Sequence, residues 1–204
     1  MARFRGARLK VVRRFGQHLP GLTQKSAENR PYPPGQHGLR RRSKPSDYRI
    51  RLEEKQKLRF NYGLNERQLR TYFKRAAAGK GDTGQNLLTA LESRLDNVVF
   101  RAGFARSIPA ARQLVVHGHL LINGKRMNVP SYVVQVGDVI SLREKSKQHP
   151  VVEQSFVSPV LEVPSYLSRD DGNVQATFNA EPSRDDVPLE LQEHLVIEHY
   201  SRVA

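Results

Sequence analysis

Within the first 80 residues, 22 side chains are lysine or arginine and 5 are acidic, a net of +17. Like charges at that density repel one another as a chain compacts, so this stretch fits best against a polyanion lying across it. Residues 81–148 hold 9 basic and 5 acidic side chains, net +4, and residues 149–204 hold 3 and 10, net −7. The whole chain of 204 residues carries +14, beyond the roughly 2 to 8 units that serve solubility in a small domain. A neutral metabolic enzyme fits this pattern poorly. The gradient assigns polyanion contact to the first half and leaves the acidic tail to face water or protein. This length allows one domain or two small ones, each with a core.

The chain has no cysteine, which removes disulfides, thiolate nucleophiles and cysteine-ligated zinc or iron–sulfur sites. No run of about 18 apolar residues occurs, so no membrane span is expected, and the N-terminus has no apolar signal stretch. Residues 1–27 are Arg-rich and acid-free, as import peptides are, yet their one serine is Ser26 where such peptides are Ser-rich. A soluble, internal protein is the expectation.

Residues 1–45 contain Pro20, Gly21, Pro31, Pro33, Pro34, Gly35 and Gly38 and show no sustained apolar period, so an extended basic arm is expected. It reads as a solvated tail or as a segment that orders on RNA. The interleaving of Phe4, Leu9, Val11, Val12 and Phe15 with Arg3, Arg5, Arg8, Lys10, Arg13 and Arg14 favours the second reading. Ser46 is a candidate N-cap for a helix to Tyr62, with Arg49, Arg51, Lys55, Lys57 and Arg59 all round it. A second helix, about Asn65 to Ala78, adds Arg67, Arg70, Lys74 and Arg75. Either helix alone reads as solvated; both together, beside a basic arm, favour phosphate contact from several directions. Gly79, Gly81 and Gly84 match the dinucleotide spacing G-x-G-x-x-G but follow a helix end rather than a strand, so they read as a helix stop and turn.

Leu88, Leu91, Leu95, Val98 and Ala102 predict one helix from about Thr83 to Ala102, with Arg94 and Arg101 along one flank and Asp96 turned away. Gly103 ends it, and Ser107 caps a second helix with Ile108, Ala111, Leu114 and Val115 as its apolar face and Arg112 at the edge, up to Gly118. The period then becomes two. Leu120 to Ile122 lead into Asn123-Gly124, a strong hairpin signal, and Lys125, Arg126, Met127 and Val129 follow. Tyr132, Val134 and Val136 alternate, and Val139 to Leu142 give a last short strand.

The segments SRLDNVVFRAGF (Ser93 to Phe104), ARQLVVHGH (Ala111 to His119), INGKRMNVPSY (Ile122 to Tyr132) and VGDVI (Val136 to Ile140) together resemble the alpha-L RNA-binding module. With RPYPPGQHG (Arg30 to Gly38), the run from Ser46 to Lys74 and EHLVIEHYSR (Glu193 to Arg202), the chain resembles, over nearly its whole length, the family of bacterial-type small-subunit ribosomal protein four. The resemblance implies an α+β fold: an extended basic N-terminal arm (1–45), a helical domain (46–92, completed by about 175–204), an inserted alpha-L module of two short helices plus a small antiparallel twisted sheet (93–150), and a connecting segment (151–174). The tail ending in Leu195, Val196, Ile197 and Tyr200 reads as strand-like.

The same resemblance implies a structural constituent of the small ribosomal subunit: a primary binder of 16S-type ribosomal RNA at a 5′-domain helix junction. It would nucleate assembly of the subunit body and contribute to translational accuracy, beside ribosomal protein five and near the messenger RNA path. The expected location is the cytoplasmic ribosome, or the interior of an organelle with bacterial-type ribosomes. Some members hold a cysteine-ligated zinc in the arm; here no metal is expected, and RNA contacts, the proline-rich loop or both must order the arm.

Matched motif by motif, the expected RNA-binding residues on the module surface are Arg94, Arg101, Arg112, His117, Asn123, Lys125 and Arg126. In the helical part they are Arg49, Arg51, Lys55, Lys57, Arg59, Arg67 and Arg70, and in the arm Arg3, Arg8, Arg13 and Arg14. Phosphate contacts would supply affinity and junction shape selectivity, because the A-form major groove is too narrow for side chains to read. Any one of these cations also fits a plain solvated role. His117 and His119 form H-x-H with no third ligand at a suitable spacing, and Tyr132 fits stacking on a base or packing on the sheet equally well. No catalytic residue, cofactor or small-molecule substrate is expected: there is no thiol, G-x-S-x-G, P-loop or paired carboxylate in an apolar setting. The alternatives are a free-standing alpha-L chaperone or quality-control factor, a DNA-binding protein, or an RNA-modifying enzyme or tRNA synthetase, whose catalytic domain this chain has no room for. The stretch Asp170 to Asp186 is assigned no role.

Overall fold

The computed structural model describes residues 4–40, 44–147 and 150–203. In chain order its elements are α1 (Arg8–Phe15), α2 (Asp47–Asn61), α3 (Glu66–Ala78), α4 (Thr83–Glu92), α5 (Leu95–Arg101), α6 (Ile108–Val116), β1 (Leu120–Ile122), β2 (Lys125–Met127), β3 (Val139–Leu142), α7 (Glu144–Lys147), α8 (Pro150–Val157), β4 (Leu167–Asp170), β5 (Gln175–Phe178) and α9 (Glu193–Val203). They fall into two compact units, Met1–Asn86 with Leu189–Ala204, and Leu87–Pro188.

In the first unit the Ser46 hydroxyl accepts the Arg49 amide at 3.3 Å and starts α2, and an Asn65–Gln68 capping box starts α3. The stretch expected as an extended arm differs in its described part. It contains α1, closed by Gly16 at φ 65, and buries Val11, Val12, Leu19 and Leu22. Two turns of helix followed by an irregular segment are too short to show a period. The Gly21 amide donates to Asn61 Oδ1 at 2.9 Å, tying this segment to the end of α2. Arg13 clasps the proline-rich loop: its Nε donates to the carbonyls of Arg30 (3.1 Å) and Tyr32 (3.0 Å), and its guanidinium lies 5.0 Å from the Tyr32 ring centroid.

The apolar tail expected to be strand-like is instead helix α9. Val196, His199 and Tyr200, at spacings of three and one, are buried there, and Tyr200 stacks on Phe73 of α3 with ring centroids 4.8 Å apart. A run as short as Leu195 to Ile197 fits helix or strand equally, and packing on α2 and α3 decides between them.

In the second unit an antiparallel five-stranded sheet runs in the order β2-β1-β3-β5-β4. Asn123 (φ 50) and Gly124 (φ 78) form the turn between β1 and β2, as their dipeptide predicts. Tyr132 to Val136, expected to alternate as a strand, contribute only an isolated bridge from Val133 to Arg94. β4, which ends at Asp170, and β5, inside the stretch Asp170 to Asp186, both lie in the acidic tail; β5 pairs with β3, Ile140 opposite Ala176. Asp170 holds the turn between them, accepting the Gly172 and Asn173 amides at 3.0 and 3.3 Å. Helices α5 and α6 pack together, and Leu95, Val98, Phe104, Ile108, Ala111 and Val115 are buried with Leu120 and Ile140 of the sheet.

The single helix expected from Thr83 to Ala102 is two. Ser93 and Arg94 break it, and the backbone groups freed there are taken by the 130–134 segment: Leu95 N donates to Tyr132 O (2.8 Å), Asp96 N to Pro130 O (3.1 Å), and Val134 N to Ser93 O (2.8 Å). The apolar stripe keeps its spacing across the break, so periodicity alone reads it as continuous.

Candidate nucleic-acid interface

The expected RNA-contacting residues separate by what they touch. Arg8, Arg14, Arg67, Arg70, His117, Lys125 and Arg126 are exposed, and Arg3 lies outside the described residues. On α3 the buried stripe is Leu69, Phe73 and Ala76. Arg67 and Arg70 are left exposed, and Lys74, four residues further on, is exposed with them.

A second group is half-buried and already engaged. Arg49 pairs with Glu53 at 2.8 Å, Arg51 with Glu198 at 3.0 Å, and Lys57 with Glu54. Arg59 lies over the Phe60 ring, 4.5 Å from its centroid. These pairings lower the free charge of α2 below what its sequence advertises.

Lys55, Arg94 and Arg101, expected on the surface, are buried. Lys55 Nζ reaches Glu66 at 2.8 Å. Arg94 is 2% exposed, and its Nε and Nη2 donate to Asp96 at 3.0 and 2.8 Å. The helix break turns Arg94 and Asp96 toward each other, where a continuous helix would hold them apart. Arg112 of α6, half-buried, donates to the same carboxylate through Nε (3.0 Å) and Nη2 (2.6 Å). Asp96 therefore locks α5 to α6 through Arg112 and holds Arg94 at the start of α5, a role its sequence position did not reveal. Arg101 Nη2 donates to the Asp186 carbonyl at 2.7 Å, and its Nε lies 3.9 Å from Glu92. Glu92 also accepts from the Tyr166 hydroxyl (2.8 Å) and Asn97 Nδ2 (2.7 Å). Burial, reinforced by the Glu92 charge, pushes the Tyr166 phenol far above its ordinary range, so it remains a neutral donor.

Asn123 is exposed, but its side chain belongs to the turn: Oδ1 accepts the Val139 amide (2.9 Å) and Nδ2 donates to Asp138 (2.8 Å). Asp138 also accepts the Gln135 amide at 2.9 Å and faces the Tyr132 hydroxyl at 3.5 Å. It thereby fixes the loop beside the hairpin that presents Lys125 and Arg126. The Arg126 guanidinium lies against Gly118, where an added Cβ would fall 2.3 Å from Nε, and Gly118 itself sits at φ 72. Gly118 thus ends α6 and also leaves room for the arginine. His119 Nδ1 lies 2.9 Å from Ser146 Oγ, and the His117 and His119 rings are 6.1 Å apart. Among the described residues no three His, Cys, Asp or Glu side chains converge as a metal cluster, and no helix is long and apolar enough to cross a membrane.

Helices, sheet and outward cations define an RNA-binding protein built around an alpha-L module. Residues 93–140 match the S4 domain, and residues 3–92 match the ribosomal protein S4/S9 N-terminal domain. The small ribosomal subunit protein uS4 of a Picosynechococcus strain is 52% identical over the whole of both chains, and that of Methylobacillus flagellatus is 51% identical over 98% of each. A Synechococcus relative of the same name is 53% identical over 99% of each chain. The chain belongs to the family of small ribosomal subunit protein uS4. It is a structural, ribosomal RNA-binding protein of the small subunit and not an enzyme.

Proposed function

We propose that the chain binds a multi-helix junction in the 5′ domain of small-subunit ribosomal RNA, nucleates assembly of the subunit body and contributes to decoding accuracy from a place beside ribosomal protein five and the messenger path. The observation that carries the junction reading is the outward set Arg8, Arg14, Arg67, Arg70, Lys125 and Arg126, drawn from the three separate elements α1, α3 and β2 and exposed to solvent. Cations spread in this way suit the phosphates of a folded RNA better than one groove of a duplex. Arg49, Arg51, Lys57 and Arg112 support that surface from half-buried pairs, while Lys55, Arg94 and Arg101 act by holding the scaffold. The place of work is the ribosome of a bacterial cytoplasm or of an organelle with ribosomes of that type.

Titration of the full chain with a 5′-domain junction fragment and with an arbitrary duplex of equal length tests this. By the duplex rule, 6 to 10 phosphate contacts weaken binding by about a thousandfold or more between 50 and 200 mM salt. Arg67→Ala should reduce the salt slope by about one unit, whereas Arg101→Ala should leave it unchanged. Equal affinity for the arbitrary duplex removes the junction reading.

A further inference from the structure

Where α1 meets α2, three phenylalanines gather at the surface of the first unit. The Phe4 ring meets Phe60 edge to face at 5.1 Å between centroids, and Phe15 lies 6.1 Å from the same Phe60 ring. Two guanidiniums join them: Arg59 at 4.5 Å from the Phe60 centroid and Arg14 at 5.9 Å from that of Phe15. A cluster of this size built only for packing would be expected to bury its rings. Here Phe4 remains 44% exposed, Phe15 and Phe60 are half-buried, and Arg14 is exposed. The Phe4 ring also folds back over Gly6, where an added Cβ would fall 2.7 Å from the ring. That contact restrains the ring while much of its surface stays open.

Phosphate contacts have no use for an open ring. Unstacked bases do: they lie on aromatic faces and guanidinium planes, and every base has a π-face to offer. We infer that Phe4, supported by Phe60, Phe15, Arg14 and Arg59, is a stacking platform for an unpaired nucleotide of the bound ribosomal RNA. The surroundings fit a nucleotide rather than an apolar partner, because Arg5, Arg8, Lys10 and Arg14 are all exposed nearby in sequence and offer charge to its phosphates. The inference rests on the ribosomal RNA reading above, to which it adds a base-directed contact.

The test uses the full chain and the junction fragment, with affinity measured across a salt series. Phe4→Leu keeps an apolar side chain and removes the aromatic face. It should weaken binding by about 5- to 150-fold, the range of one lost base stack, with the salt slope unchanged. Phe4→Trp should restore the affinity. Chemical probing of the complex should show one unpaired nucleotide protected with the wild-type and Trp chains and reactive with the Leu chain. Unchanged affinity of Phe4→Leu overturns the platform and leaves the ribosomal RNA reading standing. So does a loss that Phe4→Trp fails to restore, or one that comes with a shallower salt slope. A wild-type chain that does not bind the fragment overturns both.

Discussion

Asp96 is fully buried and receives two arginines, so its neighbours stand or fall with it. Removing one partner of a buried ion pair leaves the other charge uncompensated, typically at about 3 to 5 kcal/mol. Arg94→Ala leaves Asp96 with Arg112 as its remaining partner, so it should cost less than that, roughly 1 to 3 kcal/mol of the second unit's stability in denaturant unfolding of the full chain. A loss of RNA affinity without loss of stability would instead return Arg94 to the surface role its motif suggests. Val174 sits at φ 54 in the turn between β4 and β5, a left-handed conformation in which a β-branched side chain is strained. Val174→Gly relieves that strain and should raise the stability of the second unit by about 1 kcal/mol, read from the midpoint of the same transition.

The seam of α2, α3 and α9 carries two displaced titrations. Burial works to raise the Glu66 carboxyl, but hydrogen bonds from Lys55 and Tyr200 hold it below its ordinary 4.5. Burial, then the charges of Lys55 and Arg51, push the His199 imidazole below its ordinary 6.5 against the pull of Glu66. Both groups have folded values beneath their unfolded ones, so the unfolded chain takes up protons first, and stability present at neutral pH is lost on acidification. The melting temperature of the first unit should fall as the pH drops below about 6.5 and again below about 4.5. His199→Gln should flatten the first step and Glu66→Gln the second; if both variants follow the wild-type curve, the acid sensitivity lies elsewhere. Helix α9 is not legible in the sequence because its apolar run is short, while α2 is legible because Ser46 is a cap that acts within its own helix, as Asn65 does for α3. The break between α4 and α5 left no trace in the sequence, since the groups that satisfy its backbone come from residues 130–134.

For the molecule as a whole, the charge gradient pointed to RNA, and the folded chain shows which of its charges are outward. The arm is not uniformly loose. With Gly21 bonded to Asn61 and Leu19 and Leu22 buried, amides of residues 21–23 should be protected from hydrogen exchange in the RNA-free chain, while those of the exposed residues 35–37 exchange quickly. Uniformly fast exchange through residue 23 would restore the picture of an arm without structure. Sequence alone was enough for the basic character, the Ser46 cap of α2, the presence of a helix at α3, the Asn123-Gly124 hairpin and the alpha-L pattern, because each rests on composition or on residues a few positions apart. The folded structure was needed to settle that Arg94 and Arg101 face inward, that the acidic tail adds β4 and β5 to the sheet, and that Phe4 meets Phe60. Those outcomes depend on partners distant in the chain, and neither a period nor a local motif records which distant carboxylate, strand or ring a side chain will meet.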